Sequence, residues 1–259
     1  VKFIGPYDLG VATISAPTTA ADLTNAEDVT VLIENFGTEE QNDFDISYVL
    51  GGETVTELVD GPLAFGEQLS YTFNTQGDFS ESGLHYLMAY TSADDDSDLT
   101  NDTAYRAVLN SDCIPLANCA NGHEIKRVQL GDIDNESGCS EGGYGDYVTM
   151  STDLEVNSMN EFTLTASYGN QFVKVWIDFN DNFVFDADEV VSFFEVADGQ
   201  GGGNYTQIED LVIPEAANLG EHLMRVKLSW IVPIDDNGAC DDISQGGETE
   251  DYMVNIVQP

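Results

Sequence analysis

The sequence predicts an all-β protein made of two β-sandwich domains in tandem. Short runs that alternate apolar with polar residues recur along the whole chain, each bounded by turn residues. Helical periodicity is nowhere sustained. The stretch "NSDCIPLANC" at 110–119, with Pro115 and two cysteines, interrupts the strand pattern and divides the chain into domains at 1–110 and 111–259.

In the first domain the strand candidates run in order as "DLGVATI" (8–14), "DVTVLIENFG" (28–37), "FDISYVL" (44–50), "TVTELV" (54–59), "QLSYTF" (68–73), "LHYLMAYT" (84–91) and "TAYRAVL" (103–109). Gly51 and Gly52 between the third and fourth signal a hairpin. Seven strands in about 110 residues point to a sandwich of immunoglobulin-like architecture. The opening "DLGV", the "VTVLIENFGT" strand and turn and the closing "DLTNDTAYRAVL" resemble the CARDB-like modules of bacterial surface proteins and secreted enzymes. That resemblance implies a spacer or binding domain beside something else. The acidic stretch "SADDDSDLTND" (92–102) reads as a solvated loop held open by like charges, with a cation site as the alternative.

The second domain supplies "EIKRVQLGDI" (124–133), "DYVTMST" (146–152), "EFTLTASY" (161–168), "QFVKVWIDF" (171–179), "EVVSFFEV" (189–196), "TQIEDLVI" (206–213), "HLMRVKLSW" (222–230) and "DYMVNIV" (251–257). "GQGGGN" (199–204) reads as a flexible hairpin tip. The runs at 130–152, 173–191 and 213–229 and the closing "GETEDYMVNIV" resemble the GEVED domain of secreted Bacteroidetes-type proteins, with Thr249 where the name-giving motif has Val. The resemblance implies a second, jelly-roll-like or immunoglobulin-like sandwich, appended without catalytic activity to secreted peptidases, glycosidases or adhesins. It implies no particular ligand.

Composition excludes several functions. With 7 Lys+Arg against 48 Asp+Glu, the net charge of -41 repels nucleic acid and anionic membranes. No apolar run reaches the length of a membrane span. Cys113, Cys119, Cys139 and Cys240 form no paired CxxC groups, so an even count reads as two disulfides of an oxidising compartment, with three connectivities open. Together with an opening at Val1 that is no signal peptide, this suggests an excised or mature segment of a secreted or cell-surface protein.

The sharpest chemical signal is "DFNDNFVFDADE" at 178–189. Calcium takes six to eight oxygens, and a loop supplies them from alternate positions plus a later closing carboxylate. Asp178, Asn180, Asn182, the Val184 carbonyl, Asp186 and Glu189 fall at positions 1, 3, 5, 7, 9 and 12 of such a loop. Phe183 stands where a glycine normally makes the turn, a cost if its φ is positive. A second metal cluster is suggested by Asp132, Asp134, Asp146, Glu248, Glu250 and Asp251, should the two ends of the domain pair as neighbours. Tyr144, Tyr147 and Tyr205, in Gly-rich stretches, are candidate stacking platforms for a sugar or peptide. Trp176 and Trp230 read as core.

Catalysis finds no support. His85, His123 and His222 belong to no recognisable constellation, and His123-Glu124 lacks the second histidine of a zinc-protease helix. No nucleophile elbow or phosphate-binding loop occurs. The expected function is a calcium-stabilised, non-catalytic accessory or adhesion module that anchors its parent to an extracellular protein, a polysaccharide or a cell surface. The alternative is a repeating unit of an extracellular fibre or surface coat, with copies associating with one another.

Overall fold

The protein is described by a computed structural model covering residues 5–93, 95–196 and 202–259. It divides into two compact units, Val1–Asp112 and Cys113–Pro259. Among the described residues there are sixteen strands and only short 3-10 turns.

The first unit contains β1 (Leu9–Ala16), β2 (Thr30–Asn35), β3 (Phe44–Leu50), β4 (Glu53–Val59), β5 (Gln68–Thr72), β6 (Gly83–Ser92) and β7 (Thr103–Asn110). One antiparallel sheet runs β1-β2-β5 and the other β4-β3-β6-β7. Alternation places Val11, Val31 and Ile33 of the first sheet and Ile46, Tyr48, Leu87 and Ala89 of the second in one buried cluster. Gly51 (φ 58°) and Gly52 (φ 85°) form the two-residue β3–β4 hairpin, a conformation glycine adopts without steric cost.

The acidic stretch is not the free loop its charge suggests. β1 lies at the edge of its sheet, so some of its amides have no strand to bond. Asp96 Oδ2 accepts the Leu9 N–H at 2.9 Å and the Asn101 carbonyl accepts the Val11 N–H at 3.1 Å. Asn101 Nδ2 also donates to Asp8 Oδ1 at 2.7 Å. Burial, with Asp96, Asp8 and Asp98 nearby, pushes the Asp102 carboxyl up to about 6.

The second unit contains β8 (Ile125–Leu130), β9 (Ile133–Asn135), β10 (Tyr144–Glu155), β11 (Met159–Ala166), β12 (Gln171–Ile177), β13 (Val190–Val196), β14 (Tyr205–Val212), β15 (Gly220–Trp230) and β16 (Gly247–Val257). Its sheets run β10-β16-β15-β12-β13 and β14-β11-β8-β9, with β10 parallel to β16 and the other pairs antiparallel. The single strand expected over 124–133 is two, folded back at Gly131 (φ 55°), where an added Cβ would lie 2.2 Å from Thr152 Oγ1. Residues 199–201 of the expected hairpin tip fall outside the described residues.

β15 and β16 are buried over most of their length on both faces. One face meets the core through Met224, Val226, Leu228, Tyr252 and Val254. Irregular chain covers the other, fastened by Cys113–Cys240 and by three of the seven basic residues. Arg225 donates to the Cys113 and Ala239 carbonyls, Lys227 to the carbonyls of Gly238, Ala239 and Asp241, and Lys174 to the Ile234 carbonyl and Asp236 carboxylate. Desolvation under this cover lowers the Lys227 ammonium to about 8. The second disulfide joins Cys119 to Cys139.

Candidate functional site: the loop between β12 and β13

β12, apolar apart from Gln171 and Lys174, is buried on both sides, and it delivers Asp178 to the end of the sheet with its N–H bonded to the Leu223 carbonyl at 2.9 Å. From there the chain turns tightly. Asp178 accepts the N–H of Asn182 (3.2 Å) and of Phe183 (2.8 Å). Asn180 Oδ1 accepts the Asn182 N–H at 3.1 Å and Asn182 Oδ1 the Val184 N–H at 2.8 Å, so each side chain at an alternate position turns back on the backbone two residues on. Glu189 closes the loop from the far side. Its Oε1 accepts from Asn180 Nδ2 at 2.9 Å and its Oε2 from the Asp186 N–H at 3.0 Å.

The turn requires left-handed backbone at Asp181 (φ 55°) and Phe183 (φ 60°). Phe183 thus adopts the conformation for which a glycine would be chosen, and the strain is held by the hydrogen bonds around it. Phe185 enters the covered face of the sheet, its ring 4.6 Å from the Arg225 guanidinium. His222, 1% exposed, buttresses the loop from β15, with Nδ1 at 3.1 Å from the Asp178 carbonyl and 2.8 Å from Asp181 Oδ1. Asn218 Nδ2 donates to the Phe179 carbonyl at 2.7 Å. These two supports have no sequence signal, because they arrive from distant chain, His222 on β15 and Asn218 in the loop before it.

Electrostatically, Asp178 (1% exposed) and Glu189 (4% exposed) form a buried acidic pair. Burial raises both carboxyls above their ordinary range, opposed in part by the backbone N–H donors, with Asp178 adding repulsion at Glu189. Asp186 caps the short Ala187–Glu189 turn, and the Val184 side chain faces water. Among the described residues no three His, Cys, Asp or Glu side chains are gathered in positions to hold a metal on their own. Any shell here therefore consists of two carboxylates completed by amide and carbonyl oxygens.

The second expected cluster is not assembled. β10 and β16 do pair, with Asp146 beside Asp251, but strand alternation divides the acids between two faces. Asp251 points under the cover to Arg225, while Asp134 lies on the surface against Arg127. Glu248 points inward, accepting the N–H of Ile125 (2.8 Å) and Ser140 (2.7 Å). Glu250 accepts from the Tyr252 hydroxyl at 2.7 Å, and its Oε1 is buried without a hydrogen-bond partner. Burial raises both carboxyls, Glu250 to about 8.

Nor do the three tyrosines form free platforms. Tyr144 opens β10 and donates to Asp251 Oδ2 at 2.6 Å. Tyr147 stacks on Tyr252 at 5.5 Å, and Tyr205 packs against the core. Hydrophobic packing at a sheet end has used rings that the Gly-rich context suggested were available. Trp176 is fully buried, and Trp230 stacks on His123 at 4.5 Å.

Fold and site define a tandem of β-sandwich modules, the second stapled by disulfides. Residues 6–104 match the family model CARDB, and residues 172–255 match that of the GEVED domain, so the chain carries the first followed by the second. Both are typically non-catalytic modules. Among solved structures, the chain is similar to the CARDB domain of a Pyrococcus furiosus protein in complex with di-metal ions (18% identity, 42% of this chain and 97% of that one, TM-score 0.35). It is also similar to the calcium binding domain CBD12 of CALX1.1 (10% identity, 92% and 98%, TM-score 0.26). Red sea bream transglutaminase matches at 10% identity over 99% of this chain and 32% of that one, with a TM-score of 0.29. These scores are too low to carry function across. No curated protein matches the sequence.

Proposed function

We propose that the chain is a calcium-stabilised, non-catalytic module of a secreted or cell-surface protein, and that it anchors its parent to an extracellular polymer or a cell surface. The calcium part is carried by the buried pair Asp178 and Glu189, two desolvated carboxylates of one tight loop, with the Asn180 amide bonded to Glu189 and the Asn182 backbone N–H to Asp178. An all-oxygen donor set of this kind suits a hard dication, which would offset the repulsion that raises both carboxyls. Bound there, calcium supplies a fixed positive charge that locks the β12–β13 corner and holds Phe183 in its strained conformation.

The placement outside the cell is supported by two disulfides in a small β module and by the CARDB and GEVED matches. Among the described residues no helix is long and apolar enough to cross a membrane. Thermal melting in millimolar calcium against chelator tests the reading. The melting temperature rises in calcium for the native sequence, and Asp178→Ala abolishes the rise. An unchanged response in that variant removes this loop as the site.

A further inference from the structure

The outward face of the β4-β3-β6-β7 sheet differs from the rest of this acidic protein. Burial alternates cleanly along β6: Leu87, Ala89 and Thr91 point into the core, and Tyr86, Met88 and Tyr90 point out. Register sets Met88 directly opposite Tyr105 of β7 and Val49 of β3. Tyr86 and Tyr90 stand about 13 Å apart along their strand, with Tyr105 diagonal to both at about 7–8 Å. The three rings therefore surround Met88. Tyr105 is 75% exposed and Tyr86 58%. The Thr103 hydroxyl of β7 lies opposite Tyr90, and on the same face, across β3, β4 presents Thr54 and Thr56 rather than acids.

Among the described residues, the only charged side chain at the outward positions of these four strands is Asp45, although Asp and Glu supply 48 of the 259 residues. A sheet face kept nearly free of charge on a chain of net charge -41 limits what can lie on it. A second copy would bring its own -41 against this one, and an anionic polymer meets the same repulsion. An uncharged polymer meets none. Tyrosine rings present an apolar surface with a polar tip, and flanking hydroxyls give and accept hydrogen bonds, which matches a chain of sugar rings with apolar faces and hydroxylated rims.

We propose that this face binds a neutral polysaccharide by stacking sugar rings on Tyr86, Tyr90 and Tyr105 around Met88. The proposal rests on the anchoring reading above and names its substrate class. The test is co-sedimentation of the complete 259-residue chain with cellulose, chitin and starch granules, with collagen as a protein polymer, in low and high salt. The native sequence pellets with at least one of the three polysaccharides, and high salt does not release it. Tyr86→Ala with Tyr105→Ala weakens that binding by roughly tenfold or more, the scale of losing two aromatic contacts, while the melting temperature stays unchanged because both side chains are exposed.

Pelleting with none of the polysaccharides overturns the proposal, as does pelleting that the double variant leaves intact. Pelleting with collagen alone also overturns it but leaves the anchoring reading standing. Failure to pellet with any of the four polymers counts against both.

Discussion

Arg225 and Asp251 are directly opposed on neighbouring strands, both 0% exposed, and joined by two parallel hydrogen bonds of 2.8 and 2.7 Å. The guanidinium is also 4.6 Å from the Phe185 ring and bonded to Cys113, so one buried pair links the sheet, its cover and the candidate calcium loop. Removing one partner strands a charge away from water. Asp251→Ala is expected to lower unfolding free energy by about 3–5 kcal/mol, and replacing both residues with apolar ones by markedly less. Urea unfolding of the single and double variants checks this, and equal losses would mean that the pair is not what matters.

Calcium at the β12–β13 loop acts by mass action. At a concentration about 100 times the dissociation constant it adds about 2.7 kcal/mol, which appears as a rise of several degrees in melting temperature. Glu189→Gln removes one of the two carboxylates and is expected to cut affinity strongly by isothermal titration. A variant that binds as the native sequence does would exclude Glu189 as a ligand.

Phe183 supplies a second, opposite prediction at the same loop. Its φ of 60° costs a non-glycine residue about 1 kcal/mol. Phe183→Gly relieves that cost wherever the turn is formed and is expected to add up to about 1 kcal/mol of stability, read as a higher melting temperature. A lower melting temperature in this variant would show that the ring itself is needed.

Glu250 predicts a pH dependence of defined sign. Burial, with Glu248 and Asp251 adding repulsion, raises its carboxyl to about 8 in the folded chain, whereas in the unfolded chain it titrates in the ordinary range. Between these values the folded state holds the extra proton, so stability falls as pH rises from about 4.5 to 8 and then levels. Glu248, also raised, acts in the same direction. Glu250→Gln keeps the neutral shape and is expected to flatten the decline, recovering a few kcal/mol at pH 8. An identical pH profile in the variant would refute this.

The two disulfides are expected to contribute unequally. Cys113–Cys240 closes 127 residues and Cys119–Cys139 closes 20. On the chain-entropy scale the first contributes about 4–5 kcal/mol and the second about 3 kcal/mol. Cysteine-to-alanine pairs, compared by denaturant unfolding, check the order. The first carries an added loss, since its absence also frees the cover over Arg225.

Alternation in the sequence determined much of this protein. All seven strands of the first unit, and the run of strands in the second, lie where period-two patterning places them, because a side chain on a strand is either in or out and water sorts the two. The tight turn from Asp178 to Glu189 was legible too, because its side chains bond backbone only a few residues away. What only the tertiary structure decided is non-local. Nothing in "GETEDY" reveals that Asp251 meets Arg225 on one face while Glu250 is buried on the other, since the partners come from strands 26 residues away and from a cover pinned by a disulfide. The tyrosines divide likewise. Tyr144, Tyr147 and Tyr205 sit in glycine-rich text but pack at a sheet end, whereas Tyr86 and Tyr105, unremarked inside strands, are brought together at the surface by the register of β6 against β7. A strand specifies its own two faces, but which face the rest of the chain covers is settled only when the sheets pack.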